Sequence, residues 1–166
     1  MKDIDMLWVI VSAGLVFLMQ PGFMCLESGL TRSKNSINVA IKNFADFILS
    51  VGVFWLLGYG FMFGASAAGI IQSSDFAPSL DSTDGGTAAF FFFQAMFCGT
   101  ATTIFSGAVA ERMRFSAYLV VAFFFSLFVY PVFGHWAWNG LDTGLLTGWL
   151  GAMGFVDLPA QWSYTA

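Results

Sequence analysis

Charged residues are scarce in this sequence. Only six of its 166 residues are Lys or Arg and ten are Asp or Glu, which makes 10% of the chain charged and gives a net charge of -4 at pH 7. Proteins that bind nucleic acid need clustered basic side chains to neutralise phosphates, and this acidic chain has too few of them. We therefore exclude nucleic acid as a partner.

Residues that bind metals or act as nucleophiles are also scarce. The two cysteines, Cys25 and Cys98, lie in apolar stretches without a CxxC pattern, where a small packing residue is the common case. The only histidine, His135, stands beside tryptophans, where a boundary or packing role is more common than a ligand role. The sequence has no nucleophile-and-base pair and no phosphate-binding glycine motif. We therefore expect no enzymatic activity, no metal and no cofactor.

Hydrophobic residues, in contrast, make up 58% of the chain, and the mean hydropathy is +0.77. A helix of ~20 apolar residues crosses a hydrocarbon core of roughly 30 Å. Four stretches reach that length, at about residues 7–30, 38–64, 88–110 and 115–133. The sequence therefore predicts an all-α polytopic membrane protein with four complete spans. Residues 139–166 are expected to form a re-entrant segment or an incomplete fifth span.

The basic residues predict an orientation. Arg32 and Lys34 lie in the first connection between spans, and Arg112 and Arg114 lie in the third, whereas the second connection contains none. Cytoplasmic loops of membrane proteins collect Lys and Arg. We therefore expect the first and third connections to face the cytoplasm and the N-terminus to lie outside.

Two acidic residues within the predicted spans have alternative explanations. An ionisable residue inside a membrane is functional by default, and Glu27 lies near the end of the first span. Its nearness to Arg32 and Lys34 offers a structural explanation, which we favour. Asp46 follows Lys42 by four residues on the second predicted helix, so the two side chains can pair, and we interpret Asp46 as structural.

Aromatic residues are the remaining candidates for function. Phe93 and Phe97 are four residues apart and share a helix face, which Thr100 and Ile104 continue. Most phenylalanines with this spacing face lipid or core. Trp138 lies near the predicted outer boundary, where an indole face can attract a desolvated cation with roughly 0.5 to 2 kcal/mol. A tryptophan of the interfacial belt explains the same position equally well.

Several long motifs occur in an order that resembles the ammonium transporter (Amt/Mep/Rh) family. They are FLMQPGFMCLESGLTRSKN (17–35), KNFADF (42–47), GYGFMFG (58–64), FFQAMF (92–97), GAVAERMRFS (107–116) and YPVFGHWAW (130–138). The similarity covers about residues 6 to 157. It implies an ammonium-transporter-like helical bundle in the plasma membrane, with eleven spans in the complete fold, an outside N-terminus and a homotrimeric assembly.

The resemblance also implies roles for four residues. Trp138 is similar to the tryptophan of the external ammonium-recruiting site, and Phe93 to the phenylalanine that flanks it. Phe97 resembles one of two stacked rings that close the pore beneath. Asp157 resembles the buried aspartate that supports the recruiting site without touching the ion. The implied function is recruitment of ammonium from outside and conduction of ammonia and a proton through a hydrophobic pore.

The resemblance breaks off after Asp157. The family places a pore histidine eight residues beyond the aspartate, and this sequence has Thr165 there. We therefore expect a truncated form that does not conduct alone, because both halves of the complete protein line the pore. The alternative is a non-transporting membrane protein that senses ammonium or acts as an interaction module for a full transporter.

Overall fold

The computed structural model describes residues 3–64, 76–78, 85–140 and 148–154, and all regular structure in these ranges is helical. The helices are α1 (Asp3–Leu30), α2 (Ser33–Phe63), α3 (Gly85–Ala108), α4 (Phe115–Trp138) and the short α5 (Trp149–Ala152). The first four are long and apolar enough to cross a membrane. The predicted all-α polytopic fold is therefore confirmed.

Helix α1 continues through Pro21. Proline removes only one intrahelical hydrogen bond, and a neighbouring helix can compensate for this loss in a bundle. Gln20, the residue before this proline, is buried and contacts α3 through its side-chain amide. Most large apolar side chains of α1 point away from the other helices and are exposed on the single chain.

Helix α2 begins at Ser33, earlier than the predicted start at residue 38. Only Thr31 and Arg32 separate it from α1, so the polar run after Arg32 forms the first helical turn and not a loop. The carboxylate of Glu111 accepts a hydrogen bond from the backbone N–H of Arg32 at 3.0 Å, just before this turn. Amide groups at a helix start lack intrahelical acceptors, which explains the preference for an acidic group there.

Helix α4 continues to Trp138, beyond the predicted end of the fourth span at residue 133. Pro131 cannot donate to the carbonyl one turn earlier and would clash with it in a regular α-helix. The turn immediately before it, Phe125–Val129, is a π-helix, whose wider winding makes room for the proline ring. The helix therefore passes Pro131 and carries His135 and Trp138 on its last turns.

A second π-helical turn, Phe54–Gly58, lies in α2 and packs against the first. A Cβ atom on Gly58 would lie 3.0 Å from the carbonyl oxygen of Ser126 and 3.2 Å from the ring of Pro131. Only glycine permits this close approach of α2 to α4.

All four long helices surround an apolar core. Its buried members are Ala13, Phe54, Tyr59, Met62, Phe91, Ala95, Met96 and Cys98. Aromatic rings from α2 and α3 meet there, with Tyr59 and Phe91 centroids 5.4 Å apart in an edge-to-face arrangement. This core fixes how α3 and α4 present the candidate site residues.

The segment 139–166 is described only at 139–140 and 148–154. Gly148 lies so close to the end of α4 that an added Cβ atom would be 2.3 Å from the carbonyl oxygen of His135. The ring of Trp149 lies 5.7 Å from that of Trp136. The start of α5 therefore packs onto the last turn of α4.

Candidate functional site

Phe93 and Phe97 form an aromatic pair on α3. Their ring centroids are 4.9 Å apart and the rings are nearly perpendicular, which is a favourable arrangement for two aromatic quadrupoles. Phe93 is partly buried and packs against the apolar core. Phe97 is 39% exposed, so a large part of its ring is available to another group.

Trp138 lies on the last turn of α4 and packs against the same core. Its ring is half-buried, and Phe133 contacts it edge-to-face with centroids 5.9 Å apart. Trp138 on α4 and Phe93 on α3 thus pack against the same core. Phe97 contacts the ring of Phe93. Asp157, the fourth predicted site residue, lies outside the described residues.

The face predicted from the spacing on α3 is only partly correct. Ile104 is exposed as Phe97 is, but Thr100 is buried and points toward α1. Its hydroxyl accepts a hydrogen bond from the amide of Gln20 at 3.1 Å and donates to the backbone carbonyl of Met96 at 2.9 Å. Because Thr100 is hydrogen-bonded to the buried side chain of Gln20, it does not extend the aromatic surface of Phe93 and Phe97.

Asp46 lies at the centre of a buried polar cluster between the helices. We use this name for Glu27, Lys42, Asn43, Asp46, Thr103, Ser106 and Tyr118. Asp46 has no exposed surface, and its carboxylate accepts a hydrogen bond from the hydroxyl of Tyr118. The hydroxyl of Thr103 lies 3.3 Å from the same carboxylate and 2.9 Å from the side-chain oxygen of Gln20, and its one proton is shared between them. The predicted pair between Lys42 and Asp46 is wrong. Lys42 donates to the carbonyl of Met113 at 2.9 Å and lies over the Tyr118 ring, 5.5 Å from its centroid.

Glu27 occupies the other end of this cluster. The side-chain nitrogen of Asn43 donates to its carboxylate at 2.9 Å. A Cβ atom on Gly107 would lie 3.0 Å from the same carboxylate, so the glycine of α3 makes room for it. The explanation of Glu27 through Arg32 and Lys34 is therefore wrong.

Arg32 instead binds Glu111, and this pair joins the first and third connections. The Glu111 carboxylate accepts from the Arg32 guanidinium at 3.2 Å and from the Asn35 amide at 2.8 Å. The hydrogen bonds from Asn35 and Arg32 lower the pKa of Glu111 to about 2. Both connections therefore lie at one end of the bundle, as the charge pattern requires.

His135 is fully buried, and its Nδ1 donates to the carbonyl oxygen of Met62 at 3.0 Å, which agrees with a packing role. Within the described ranges, no group of three or more His, Cys, Asp or Glu side chains could hold a metal ion.

The sequence reasoning missed the buried polar cluster. The sequence pattern that could have predicted this cluster is a row of polar residues on an otherwise apolar helix. Thr100, Thr103 and Ser106 follow one another at intervals of three on α3. All three are buried, as are Asn43 and Asp46, three residues apart on α2. Residues three or four apart share a helix face, so the two rows were visible before the structure was known.

Comparison of the sequence with known proteins identifies the family of this chain. A model described as the Ammonium Transporter Family matches residues 7–161. A Synechocystis protein provisionally named as an ammonium transporter is 59% identical over 165 residues, which is 95% of this chain and 30% of that protein. The ammonium transporter Amt2 of Archaeoglobus fulgidus is 39% identical over 92% of this chain and 31% of its own length. This chain thus spans about a third of the length of these relatives.

Solved structures show the same helical arrangement. A protein named Sensor Amt Protein is 42% identical and superposes with a TM-score of 0.86 over 95% of this chain and 40% of its own. Mep2 of Saccharomyces cerevisiae is 26% identical, with a TM-score of 0.73 over 90% of this chain and 34% of its own.

Proposed function

Since this chain belongs to the ammonium transporter family, we propose that the protein carries ammonium across the membrane and that Trp138, Phe93 and Phe97 form part of the route. Curated relatives named ammonium transporters align with almost the whole chain. The same comparison supports a multi-pass membrane protein that carries out transport and no covalent chemistry.

The observation that carries the proposal is the position of the three aromatic rings. Phe93 and Trp138 pack against one core from different helices, and Phe97 extends the group with an exposed ring. Aromatic faces attract a cation without a compensating carboxylate and release it readily, because each contact is worth only about 0.5 to 2 kcal/mol. A transported ion needs sites of this kind, since tight binding would stop its passage.

In this proposal each residue has a separate role. Trp138 and Phe93 hold ammonium as it loses water, and Phe97 covers the apolar passage below them. Asp157, which lies outside the described residues, supports the recruiting site without touching the ion. The complete protein is a homotrimer in lipid with one pore in each subunit and an outside N-terminus.

The sensing alternative has less support. The name Sensor Amt Protein belongs to a structural neighbour, and no described residue of this chain points to sensing without transport. A protein that binds ammonium but gives no ammonium current would favour this alternative.

The proposal is tested by currents across proteoliposome membranes. We expect an ammonium concentration jump to evoke a current in vesicles that contain the complete protein, and none in vesicles that contain these 166 residues alone. Jumps of sodium or potassium should evoke no current in either. The Phe97→Ala variant should change the ammonium current, because it removes the exposed ring that covers the passage. Phe92→Ala is the matched control, since Phe92 is a neighbouring exposed phenylalanine on another face of α3. No ammonium current in the complete wild-type protein, or equal currents in its Phe97→Ala and Phe92→Ala variants, would overturn the proposal.

A further inference from the structure

The buried polar cluster carries an unbalanced charge. Its titratable groups are Glu27 from α1, Lys42 and Asp46 from α2, and Tyr118 from α4. Helix α3 contributes only hydroxyl groups, those of Thr103 and Ser106. Two carboxylates and one ammonium leave one uncompensated negative charge when tyrosine is neutral.

Lys42 contacts neither carboxylate, so its single positive charge offsets one of the two negative charges only from a distance. Its ammonium group donates to the Met113 carbonyl and lies over the Tyr118 ring, 5.5 Å from the centroid. Among the described residues, the closest ion pair of any carboxylate is that of Glu111 with Arg32, outside the cluster. Asp46 and Glu27 are 0% and 8% exposed, so water does not compensate for their charge either. An unpaired buried charge is expensive and is usually removed by protonation.

The hydrogen bonds of the cluster also lack one donor. Asn43 is 3% exposed, and its nitrogen donates to Glu27 and to the carbonyl of Val39. Both of these groups accept, so the orientation of the amide is fixed and its oxygen must find a donor elsewhere. That oxygen is buried and has no hydrogen-bond partner. The cluster that carries the excess negative charge therefore also contains an unsatisfied buried acceptor.

We propose that Glu27 and Asp46 together bind one exchangeable proton. Binding forms a single O–H bond on a carboxylate oxygen, and the proton comes from water at the end of the bundle where Arg32 and Glu111 meet. Glu27 is the entry side, because it lies one turn before the end of α1, closest to the connection that carries Arg32. The site is separate from the aromatic residues and does not depend on ammonium transport.

Infrared spectroscopy tests this inference with the whole chain in lipid vesicles. The C=O band of protonated carboxyl groups should be present at neutral pH and should shift on transfer to D₂O. Glu27→Gln and Asp46→Asn should each abolish the band, because the remaining carboxylate and Lys42 then balance in charge. Lys42→Met should increase the band about twofold, since two carboxyl groups then need protons.

The band should disappear in Glu27→Gln and Asp46→Asn but increase in Lys42→Met, and misfolding would not produce this opposite pair of results. Carboxyl groups exposed by unfolding ionise at neutral pH, so a misfolded Lys42→Met protein would lose the band and not strengthen it. Asp3→Asn is the control, because Asp3 is exposed and should leave the band unchanged. A wild-type protein without the band, or a band that none of the three cluster variants alters, would overturn the proposal. Neither result depends on the ammonium current, so the two proposals can fail separately.

Discussion

The hydroxyl of Tyr118 donates a hydrogen bond to the carboxylate of Asp46, 72 positions earlier in the chain. Neither residue has any exposed surface. Tyr118 lies near the start of α4 and Asp46 in the middle of α2, so this bond fixes the register of two membrane helices. The tyrosine ring at the same time faces the ammonium group of Lys42.

Replacement of Tyr118 by Phe should therefore destabilise the bundle. The change keeps the ring and its cation-π contact but removes the hydroxyl that donates to Asp46. Buried hydrogen bonds in membrane proteins are worth about 1 to 2 kcal/mol, and we expect a loss of that size. Thermal unfolding in detergent, followed by circular dichroism, measures it. Tyr130→Phe is the control, because the Tyr130 hydroxyl donates no hydrogen bond within the described ranges, and an equal loss there would contradict the assignment.

Replacement of glycine by alanine should lower the stability of the bundle at Gly99 and raise it at Gly14. A Cβ atom at Gly99 would lie 2.7 Å from the Phe47 ring, whereas one at Gly14 would meet nothing within 4 Å. Gly99→Ala should cost about 1 to 3 kcal/mol through overpacking. Gly14→Ala should stabilise α1 by about 0.5 to 1 kcal/mol, because alanine favours the helix. Unfolding of the two variants in the same detergent compares them, and equal changes would refute the close approach at Gly99.

The contact between Glu111 and Arg32 should weaken in acid. The pKa of Glu111 is lowered from 4.5 to about 2 in the folded protein, so its contribution to stability is fully present above pH 4.5. That contribution should disappear as the pH falls toward 2. The difference in melting temperature between wild type and Glu111→Gln measures this loss.

Arg32→Gln provides the matching test for the same contact. Its difference in melting temperature from the wild type should depend on pH in the same way. The double variant should lower the melting temperature little more than either single variant does. High salt should reduce the effect, because the pair lies at the surface. If the difference in melting temperature between wild type and variant stayed unchanged at pH 2, the ionised carboxylate of Glu111 would not be its cause.

The four spans could be predicted because the length and apolar composition of a membrane helix are visible in the sequence. The end of α4 could not be predicted, since Pro131 normally stops a helix and the π-helical turn before it depends on packing against α2. The family motifs were specific enough to identify the ammonium transporter family, which the family match confirms.

The contacts of individual charged residues were less predictable. Sequence proximity suggested that Lys42 pairs with Asp46 and that Arg32 lies near Glu27. The structure shows that each binds a group more than 70 positions away, Met113 for Lys42 and Glu111 for Arg32. Local spacing cannot predict such contacts, because they depend on which connections meet at the end of the bundle. The roles of Phe93, Phe97, Trp138 and Asp157 in ammonium passage stay predictions.

The dependence of the ammonium current on ammonium concentration tests the central claim most directly. If the indole of Trp138 holds the ion with about 0.5 to 2 kcal/mol, Trp138→Leu should raise the half-saturating concentration about 2-fold to 30-fold. Trp136→Leu, two positions away against Trp149, should leave that concentration unchanged. An unchanged half-saturating concentration in Trp138→Leu, or an equal rise in both variants, would contradict the account.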